Sequence, residues 1–181
     1  YTDNGFRRSR NFSIADMTLV LAGIEVDVDI DDLLAPGGIV LPGIATIRGQ
    51  LTSGYRNAQG AAMTATALRV QLLAEGVTVD IGRANASISA YTSDPMAGGS
   101  WALHVEALAG VANIGRLANQ PLPCTGTDGQ WRENAIADVN VPGVLTVEGI
   151  SARVFGHPWE GQPFTVARGE ADVASLALLG D

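Results

Sequence analysis

The stretch MTATALRVQLLAEGVTVDIGR, residues 63–83, indicates the fold class most clearly. In it, two runs of alternating apolar and polar residues flank a short break that ends in Gly76. Their apolar members are Leu68, Val70, Leu72, Val77, Val79 and Ile81. A period of two puts the apolar side chains on one face of a β-strand, and a short break ending in glycine is typical of a hairpin turn. The stretch therefore predicts a half-buried antiparallel hairpin.

The same pattern predicts how the two strands of this hairpin pair. If Leu72 lies opposite Val77, every apolar residue of one strand meets an apolar residue of the other. Arg69 then lies opposite Asp80 on the outer face, where the two form an ion pair in contact with water. This register gives one apolar and one polar face, and we expect the apolar face to pack on a core.

Four other segments repeat this pattern more loosely: residues 13–30, 101–116, 134–150 and 164–181. Residues 101–116 end in Ile-Gly-Arg, as residues 63–83 do, although their alanine content also fits a short helix. The last segment begins a copy with VASLALLGD and then stops without an equivalent of GVTVDI, so it resembles half a hairpin. Residues 153–163, between the last two copies, are predicted to form a loop.

Repeated hairpins predict an all-β fold, an antiparallel β-sandwich. A β-solenoid is the alternative, and the irregular spacing of the copies disfavours it. The 181 residues suffice for a single domain covering residues 1–181. Residues 117–131, rich in proline and glycine, are the place where the chain would divide if it had two.

Composition excludes several classes of function. The net charge of −8 argues against nucleic acid as a partner, because phosphate binding needs a basic surface. All eleven basic residues are arginine, so chemistry that needs a lysine is excluded. No run of 18 apolar residues occurs, which predicts no membrane-spanning helix. The single cysteine, Cys124, predicts a small buried residue or a free thiol rather than a disulfide between chains.

The acidic run DVDIDD is the one candidate metal site. Asp27, Asp29, Asp31 and Asp32 could offer carboxylate oxygens to Ca²⁺ from a strand face and the following turn. A solvated strand face explains them more simply, and no glycine or glutamate follows at the spacing of a calcium-binding loop. We therefore predict no metal and no cofactor.

Catalytic motifs are missing from the sequence. No Gly-x-Ser-x-Gly motif occurs, and Cys124 has no partner nearby in the sequence. Neither His104 nor His157 has a cysteine, histidine or glutamate at zinc-ligand spacing. The sequence therefore predicts a protein that is not an enzyme.

Three tryptophans are the candidate ligand-binding residues. Trp101, Trp131 and Trp159, together with Tyr55 and Tyr91, lie where predicted strands meet loops. Exposed aromatic rings at such positions can stack on sugars. The alternative, which we prefer, is that they close the ends of a β-sandwich as part of its core.

Several phrases of the sequence resemble a known group of proteins. Residues 126–156 (GTDGQWRENAIADVNVPGVLTVEGISARVFG) and 167–181 (ARGEADVASLALLGD) resemble the repeat-bearing exported surface proteins of actinobacteria that carry variable C-terminal anchors. Residues 64–87 are of the same style. The resemblance implies export, a β-rich fold and an extracellular or cell-surface structural role. It carries no site residues over to this chain.

These observations lead to two hypotheses for function. The first is a secreted structural subunit that assembles with copies of itself into a filament or surface layer, because an unpaired strand edge accepts a strand from another chain. The second is an adhesin-like module of the cell surface that binds a glycan or a surface protein. For the first, the N-terminal arm and the C-terminal strand would make the contacts, through Tyr1, Phe6, Phe12, Val173, Leu176, Leu178 and Leu179.

Overall fold

The fold is described from a computed structural model. It describes residues 7–13, 18–21, 24–27, 29–73, 76–90, 96–107, 115–141, 145–158 and 165–178. Within them the chain is almost entirely β-strand, with one short helix between the second and third strands.

The strands and the helix follow one another along the chain in thirteen elements. They are β1 (Thr18–Leu21), β2 (Ile24–Asp27), α1 (Ile30–Leu34), β3 (Ile39–Leu41), β4 (Ala45–Asn57), β5 (Gly60–Leu72), β6 (Val77–Ser89), β7 (Met96–Ala107), β8 (Gly115–Leu117), β9 (Gln120–Leu122), β10 (Arg132–Val141), β11 (Leu145–Pro158) and β12 (Thr165–Leu178).

Two antiparallel sheets form the sandwich. The large sheet has the order β3-β4-β5-β6-β7-β8, with β9 paired to the other end of β7, and the small sheet has the order β10-β11-β12. The strands β1 and β2 pair with each other. One apolar core contains residues of both large and small sheets, among them Val70, Val79 and Val147, which are fully buried. The prediction of an all-β antiparallel sandwich is confirmed.

The hairpin predicted over residues 63–83 is present as β5 and β6. Leu72 pairs with Val77 and Arg69 pairs with Asp80, as the alternation requires. The apolar residues of both strands are buried in the shared core. The register could be predicted because only one pairing keeps all apolar side chains on the same face.

Both sheets are interrupted in mid-strand by residues with left-handed backbone. Gln50 in β4, Gly82 in β6 and Gly149 in β11 have φ angles of 52°, 61° and 59°. The ladders omit the pairs that these residues would form, while the register continues unchanged on both sides. The residues opposite them in neighbouring strands are all alanines: Ala67, Ala102, Ala137 and Ala174.

The interruption exchanges the faces of each strand. In β11, Leu145 and Val147 face the core before Gly149, whereas Ile150 and Ala152 face it afterwards. In an uninterrupted strand, residues an odd number apart point to opposite faces. A strand that continues past such an interruption, called the bend below, can therefore keep its apolar side chains on the core face only if its alternation shifts by one residue there.

Small residues let the two sheets approach closely at the bend. A Cβ atom added to Gly169 of β12 would lie 3.2 Å from the Cβ of Ala84 and 3.4 Å from the carbonyl oxygen of Gly99 in the large sheet. Nearby, the buried Ser100 donates a hydrogen bond to the carbonyl oxygen of Arg153, 2.9 Å away in the small sheet. Beyond the bend a second, smaller core of Met96, Leu122 and Val154 fills the sandwich.

Two segments differ from the sequence predictions, and a third agrees with them. The first repeat forms the hairpin β1–β2 with a different register. Alignment with residues 63–83 would pair Leu21 with Val26, but Leu21 pairs with Ile24. Ile30 begins the helix instead of ending a strand. Residues 153–158, predicted as loop, continue β11, because the shift at Gly149 hides their alternation. The third repeat is strand at residues 101–107, as the repeat pattern predicted and not the helix that its alanine content also allowed.

The C-terminal repeat also differs from the prediction of an unpaired half hairpin. Its residues belong to β12, which pairs with β11 from Thr165 to Leu178. The partner that the sequence appeared to lack is therefore the preceding strand. Among the described strands, β12 is an edge of the small sheet.

Candidate functional site

Charged side chains form a row across the outer face of the large sheet. Neighbouring strands place Arg48, Arg69, Asp80, His104 and Arg116 directly beside one another, from β4 to β8. Their neighbours in sequence point the other way, into the core. Ladder pairing thus collects these residues from five strands onto one surface.

Asp80 is the buried centre of this row. Asp80 is only 4% exposed, so the prediction that the ion pair lies in contact with water is wrong for its carboxylate. Arg69 donates two hydrogen bonds to it, from Nε at 2.6 Å and Nη2 at 2.8 Å, and Arg83 donates one from Nη1 at 3.2 Å. Burial alone would raise the pKa of Asp80, but these hydrogen bonds and charges outweigh it, so the pKa is lowered.

Trp101 lies on the same outer face, one row from Asp80. It is buried, yet it belongs to neither apolar core, whereas its neighbour Ala102 does. The guanidinium of Arg116 lies 4.1 Å from the centroid of the Trp101 ring and that of Arg83 lies 5.2 Å from it, both within the range of cation–π contacts. Two arginines therefore bury this indole on the outside of the sandwich.

Three buried polar atoms around Trp101 have no hydrogen-bond partner in the described part of the chain. They are the indole Nε1 of Trp101, Nε of Arg83 and Oδ1 of Asn85. Arg83 is paired with Trp101 across the ladder, and Asn85 occupies the next row on the same face, opposite Gly99. Buried polar atoms are normally hydrogen-bonded, so a cluster of three is the most unusual polar feature of this surface.

A second aromatic surface lies on the outer face of the small sheet. The rings of Trp131 and Phe155 lie 5.5 Å apart, and the guanidinium of Arg153 lies 4.8 Å from the Trp131 centroid. Arg153 also forms an ion pair with Glu170 at 2.6 Å. Trp131 is 39% exposed, so part of its ring is open to a ligand.

The candidate tryptophans are thus not brought together. Trp101 and Trp131 lie on the outer faces of different sheets, and neither belongs to an apolar core. Trp159 and Tyr91 lie outside the described residues, and Tyr55 is exposed in β4. The core-closing role that we preferred is wrong for Trp131, which is exposed, whereas Trp101 is buried as that role requires but lies outside both core clusters.

The acidic run is divided between a strand and a helix. Asp27 is the last residue of β2, and Asp29 caps α1 by accepting a hydrogen bond from the backbone N–H of Asp31 at 2.9 Å. Asp31 and Asp32 occupy the first helical turn, where the helix dipole stabilises negative charge. Within the described ranges, no three acidic, histidine or cysteine side chains gather as a metal site would require.

The residues proposed for assembly fall into three groups. Val173 and Leu176 of β12 are half-buried and pack against the shared core, and Leu178 is the last residue of β12. Phe12 is half-buried in the segment before β1. Tyr1, Phe6 and Leu179 lie outside the described residues. The side chains of Val173 and Leu176 thus serve the core, which leaves the backbone of β12 as the feature relevant to assembly.

The strand β1 lies beside β12. Their Cα atoms come within 8 Å of each other, although no ladder joins them among the described residues. The N-terminal hairpin and the last described strand are therefore neighbours in space. The sequence hypothesis instead assigned the contact with the C-terminal strand to the N-terminal arm, through Tyr1, Phe6 and Phe12, which precedes this hairpin.

Two smaller points complete the survey of candidate residues. Cys124 is exposed and has a free thiol, so it is not the small buried residue that the sequence also allowed. In the part of the chain that the structure describes, no helix combines the length and apolar character needed to cross a membrane.

Comparisons with known proteins give no relative for this chain. No protein-family model matches the sequence, and neither the curated proteins nor the solved structures contain a match. The argument for function therefore depends on the geometry of the chain itself.

Several residues of these surfaces were not proposed as site residues from the sequence, among them Arg83, Arg116, Asn85 and Phe155. For the two arginines a signal was present. Each ends an Ile-Gly-Arg triplet, at residues 81–83 and 114–116, and both reach the same indole. For Asn85 and Phe155 the alternation before the bend gives the wrong face, so no sequence signal would have found them.

Proposed function

We propose that this protein is a structural subunit that assembles head to tail by exchange of its N-terminal hairpin. The observation that carries the proposal is the position of β12, which is hydrogen-bonded to β11 on one side and has Cα atoms within 8 Å of those of β1. In this proposal the protein has no catalytic activity.

The open edge of β12 supports strand addition. A strand at the edge of a sheet presents unpaired N–H and C=O groups, and a strand from another chain can satisfy them. Among the described strands, none pairs with the second side of β12 over its fourteen residues, Thr165–Leu178. The side chains of Val173 and Leu176 are already held by the core, so an added strand would meet an ordered backbone.

The hairpin β1–β2 is the segment best suited to supply that strand. It pairs with itself and not with either main sheet among the described residues, so it can leave without breaking a ladder of the sandwich. The contact that β1 makes with β12 in one subunit would then form between subunits. Each subunit would accept one hairpin and donate another, and such a heterologous contact extends into a fibre unless it closes into a ring.

The extracellular location is also part of this proposal. It is supported by the resemblance of residues 64–87, 126–156 and 167–181 to exported actinobacterial surface proteins. The partner in the proposal is a second copy of the chain, and the assembly would form part of a surface layer or filament.

Electron microscopy and light scattering test the proposal. The protein is unfolded and refolded at low and at high concentration, because exchange requires the hairpin to detach, and each sample is examined by negative stain and by chromatography with light scattering. We expect short fibres or rings that increase with the concentration during refolding. Uniform monomers at every concentration would refute assembly.

Two proline variants identify the strand responsible. Val20→Pro disrupts β1, whereas Val40→Pro disrupts β3, a short edge strand of the large sheet with an exposed side chain at this position. Circular dichroism first establishes that each variant retains the β-sheet fold. Loss of assembly in Val20→Pro alone is expected. Equal loss in both variants, or in neither, would exclude β1 as the donated strand.

A second candidate function is binding of a glycan or a surface protein through the small sheet. The observation in its favour is the partly exposed Trp131, stacked with Phe155 and Arg153. Aromatic and arginine side chains of this kind dominate binding energy at many interfaces. A glycan array probed with the parent and with Trp131→Ala tests it, with Tyr55→Ala as an exposed aromatic control. Hits that survive Trp131→Ala would exclude this surface.

A further inference from the structure

We propose that the outer face of the large sheet contains an oxyanion-binding site formed by Arg83, Trp101 and Arg116. The ligand is a carboxylate, sulfate or phosphate group with a hydroxyl group beside it. This inference is independent of hairpin exchange, because the site lies on β6, β7 and β8 and involves neither β1 nor β12.

The first argument is the set of donors without partners. The indole N–H of Trp101 and the Nε–H of Arg83 are both buried and unpaired within the described residues. Trp101 itself is 5% exposed. Both groups can only donate hydrogen bonds, so whatever satisfies them must be an acceptor. An oxyanion is the acceptor that arginine binds most strongly, often through two parallel N–H groups.

Asp80 already shows how this surface holds a carboxylate. It takes a hydrogen bond from Nη1 of Arg83, and the Nε of the same guanidinium remains unpaired. Arg83 therefore uses one edge for the protein's own carboxylate. The edge that includes Nε is available for a second oxyanion.

The charge on this face favours an added anion. Arg48 and Arg69 lie directly opposite each other on neighbouring strands, a placement of like charges that is destabilising without a counter-ion. Asp80 neutralises one charge between Arg69 and Arg83, and Arg116 forms no ion pair with any described residue. Glu106 lies on the same face as His104 and also attracts Arg69. Asp80 and Glu106 thus offset two of the four arginine charges, those of Arg48, Arg69, Arg83 and Arg116, and a protein of net charge −8 keeps an excess of positive charge on this surface.

Arg116 is the residue that would admit the ligand. It is exposed and stacked on Trp101, with its centre 4.1 Å from the ring centroid. A cation–π contact leaves the N–H groups of the guanidinium free to bind an anion in its own plane. Rotation of this side chain away from the ring would open the indole N–H, and its return would enclose the bound group.

Asn85 accounts for the neighbouring hydroxyl. Its Oδ1 is an unpaired, buried acceptor in the row next to Arg83 and Trp101. A carboxylate or a sulfate alone cannot satisfy it, because neither has a proton to donate. A hydroxyl close to the carboxylate can donate one, as the hydroxyl on the adjacent carbon does in glycolate, or the 4-hydroxyl of the pyranose ring in a uronic acid. Opposite Asn85, Gly99 has no side chain to fill this position.

Nuclear magnetic resonance provides a direct test, because each of the three tryptophans gives one indole N–H signal. The Trp101 signal is assigned by its loss in Trp101→Phe. The parent is then titrated with glucuronate, glucose, acetate, glycolate, sulfate and phosphate, with sodium chloride holding the ionic strength constant. We expect a saturable shift of the Trp101 signal with the oxyanions, tighter binding of glycolate than of acetate, and no response to glucose.

Two arginine variants locate the effect. Arg116→Gln should weaken binding about tenfold or more, since it removes a charged hydrogen-bond donor. Arg132→Gln, an exposed arginine in β10 outside this face, should leave binding unchanged. Saturation by sulfate and phosphate but not by carboxylates would support the site and identify its ligand as tetrahedral.

Other results would overturn the inference. They are a Trp101 signal that does not respond to any oxyanion, a shift that never saturates, or equal weakening in Arg116→Gln and Arg132→Gln. A crystal structure with only a water molecule on the indole N–H, in the presence of glucuronate and sulfate, would also refute it.

Discussion

Replacement of Gly149 by alanine tests how strongly the left-handed backbone in the middle of β11 requires a glycine. Gly149 has a φ of 59°, and a Cβ added there would lie 2.9 Å from the Cβ of Ala174. The left-handed backbone costs an ordinary residue about 1–2 kcal/mol. Overpacking a tight contact adds about 1–3 kcal/mol. We therefore expect Gly149→Ala to lower the free energy of unfolding by about 2–5 kcal/mol.

Gly43 provides the matched control for this prediction. Its φ is 73°, but a Cβ added there would meet nothing within 4 Å. Gly43→Ala should therefore cost only the backbone contribution, about 1–2 kcal/mol. The double variant Gly149→Ala/Ala174→Gly removes the contact between the two Cβ atoms but keeps the backbone cost. It should therefore be less stable than the single variant Ala174→Gly by about 1–2 kcal/mol.

Urea unfolding followed by circular dichroism measures these differences, with all variants compared at an equal slope of free energy against urea. The reasoning is refuted if Gly149→Ala is no less stable than Gly43→Ala. It is also refuted if Ala174→Gly fails to recover any of the loss, because the contact in mid-strand would then not be the source of the cost.

Three further predictions concern polar groups. Asp80→Asn should cost about 2–3 kcal/mol, below the usual range for a broken buried pair, because Arg69 and Arg83 keep about a third of their side chains in water (36% and 32%). The pKa of Asp80 is lower in the folded protein than in the unfolded chain, where it is about 3.9. Its stabilising effect is therefore present above the unfolded pKa and is lost as the pH falls through the folded pKa. Urea unfolding at several pH values should show that the parent loses more stability on acidification than Asp80→Asn. Glu170→Gln should change stability by less than about 1 kcal/mol in urea unfolding, since both partners of its ion pair are about 40% exposed (42% and 41%). Ser100→Ala should cost about 1 kcal/mol by the same measurement, from loss of its hydrogen bond between the sheets, and Ser175→Ala at an exposed position should cost less.

The sequence was sufficient for the fold class and for the central hairpin. In β5 and β6 each residue of the inner face is apolar, so the alternation determined both the strands and their register. The fourth repeat was predictable for the same reason: Val139 pairs with Val147 and Val141 with Leu145 in β10 and β11. Where one face of a strand is continuously apolar, the pattern leaves only one pairing.

The sequence failed where the alternation shifts by one residue. Beyond Gly149 the apolar residues Ile150, Ala152 and Val154 occupy even positions, after odd positions before it. An isolated glycine in a strand pattern usually indicates a bulge or a close approach, and it does not show which face follows. For this reason residues 153–158 read as loop although they are strand.

The candidate oxyanion site was beyond the sequence for a related reason. Arg83 and Trp101 are separated by seventeen residues and meet only because β6 and β7 pair. A tryptophan buried under arginines outside the core gives the same sequence pattern as a tryptophan inside it. Which of the two applies is decided by the face that the strand turns outward.

The bend in the large sheet connects the fold to this site. Ile81 and Arg83 would share one face of an uninterrupted strand, as would Leu103 and Trp101, because each pair is two residues apart. Ile81 and Leu103 lie in the core, so without a bend the arginine and the indole would point into it as well. The left-handed Gly82 between Ile81 and Arg83 exchanges the faces, and both polar groups reach the outer surface instead.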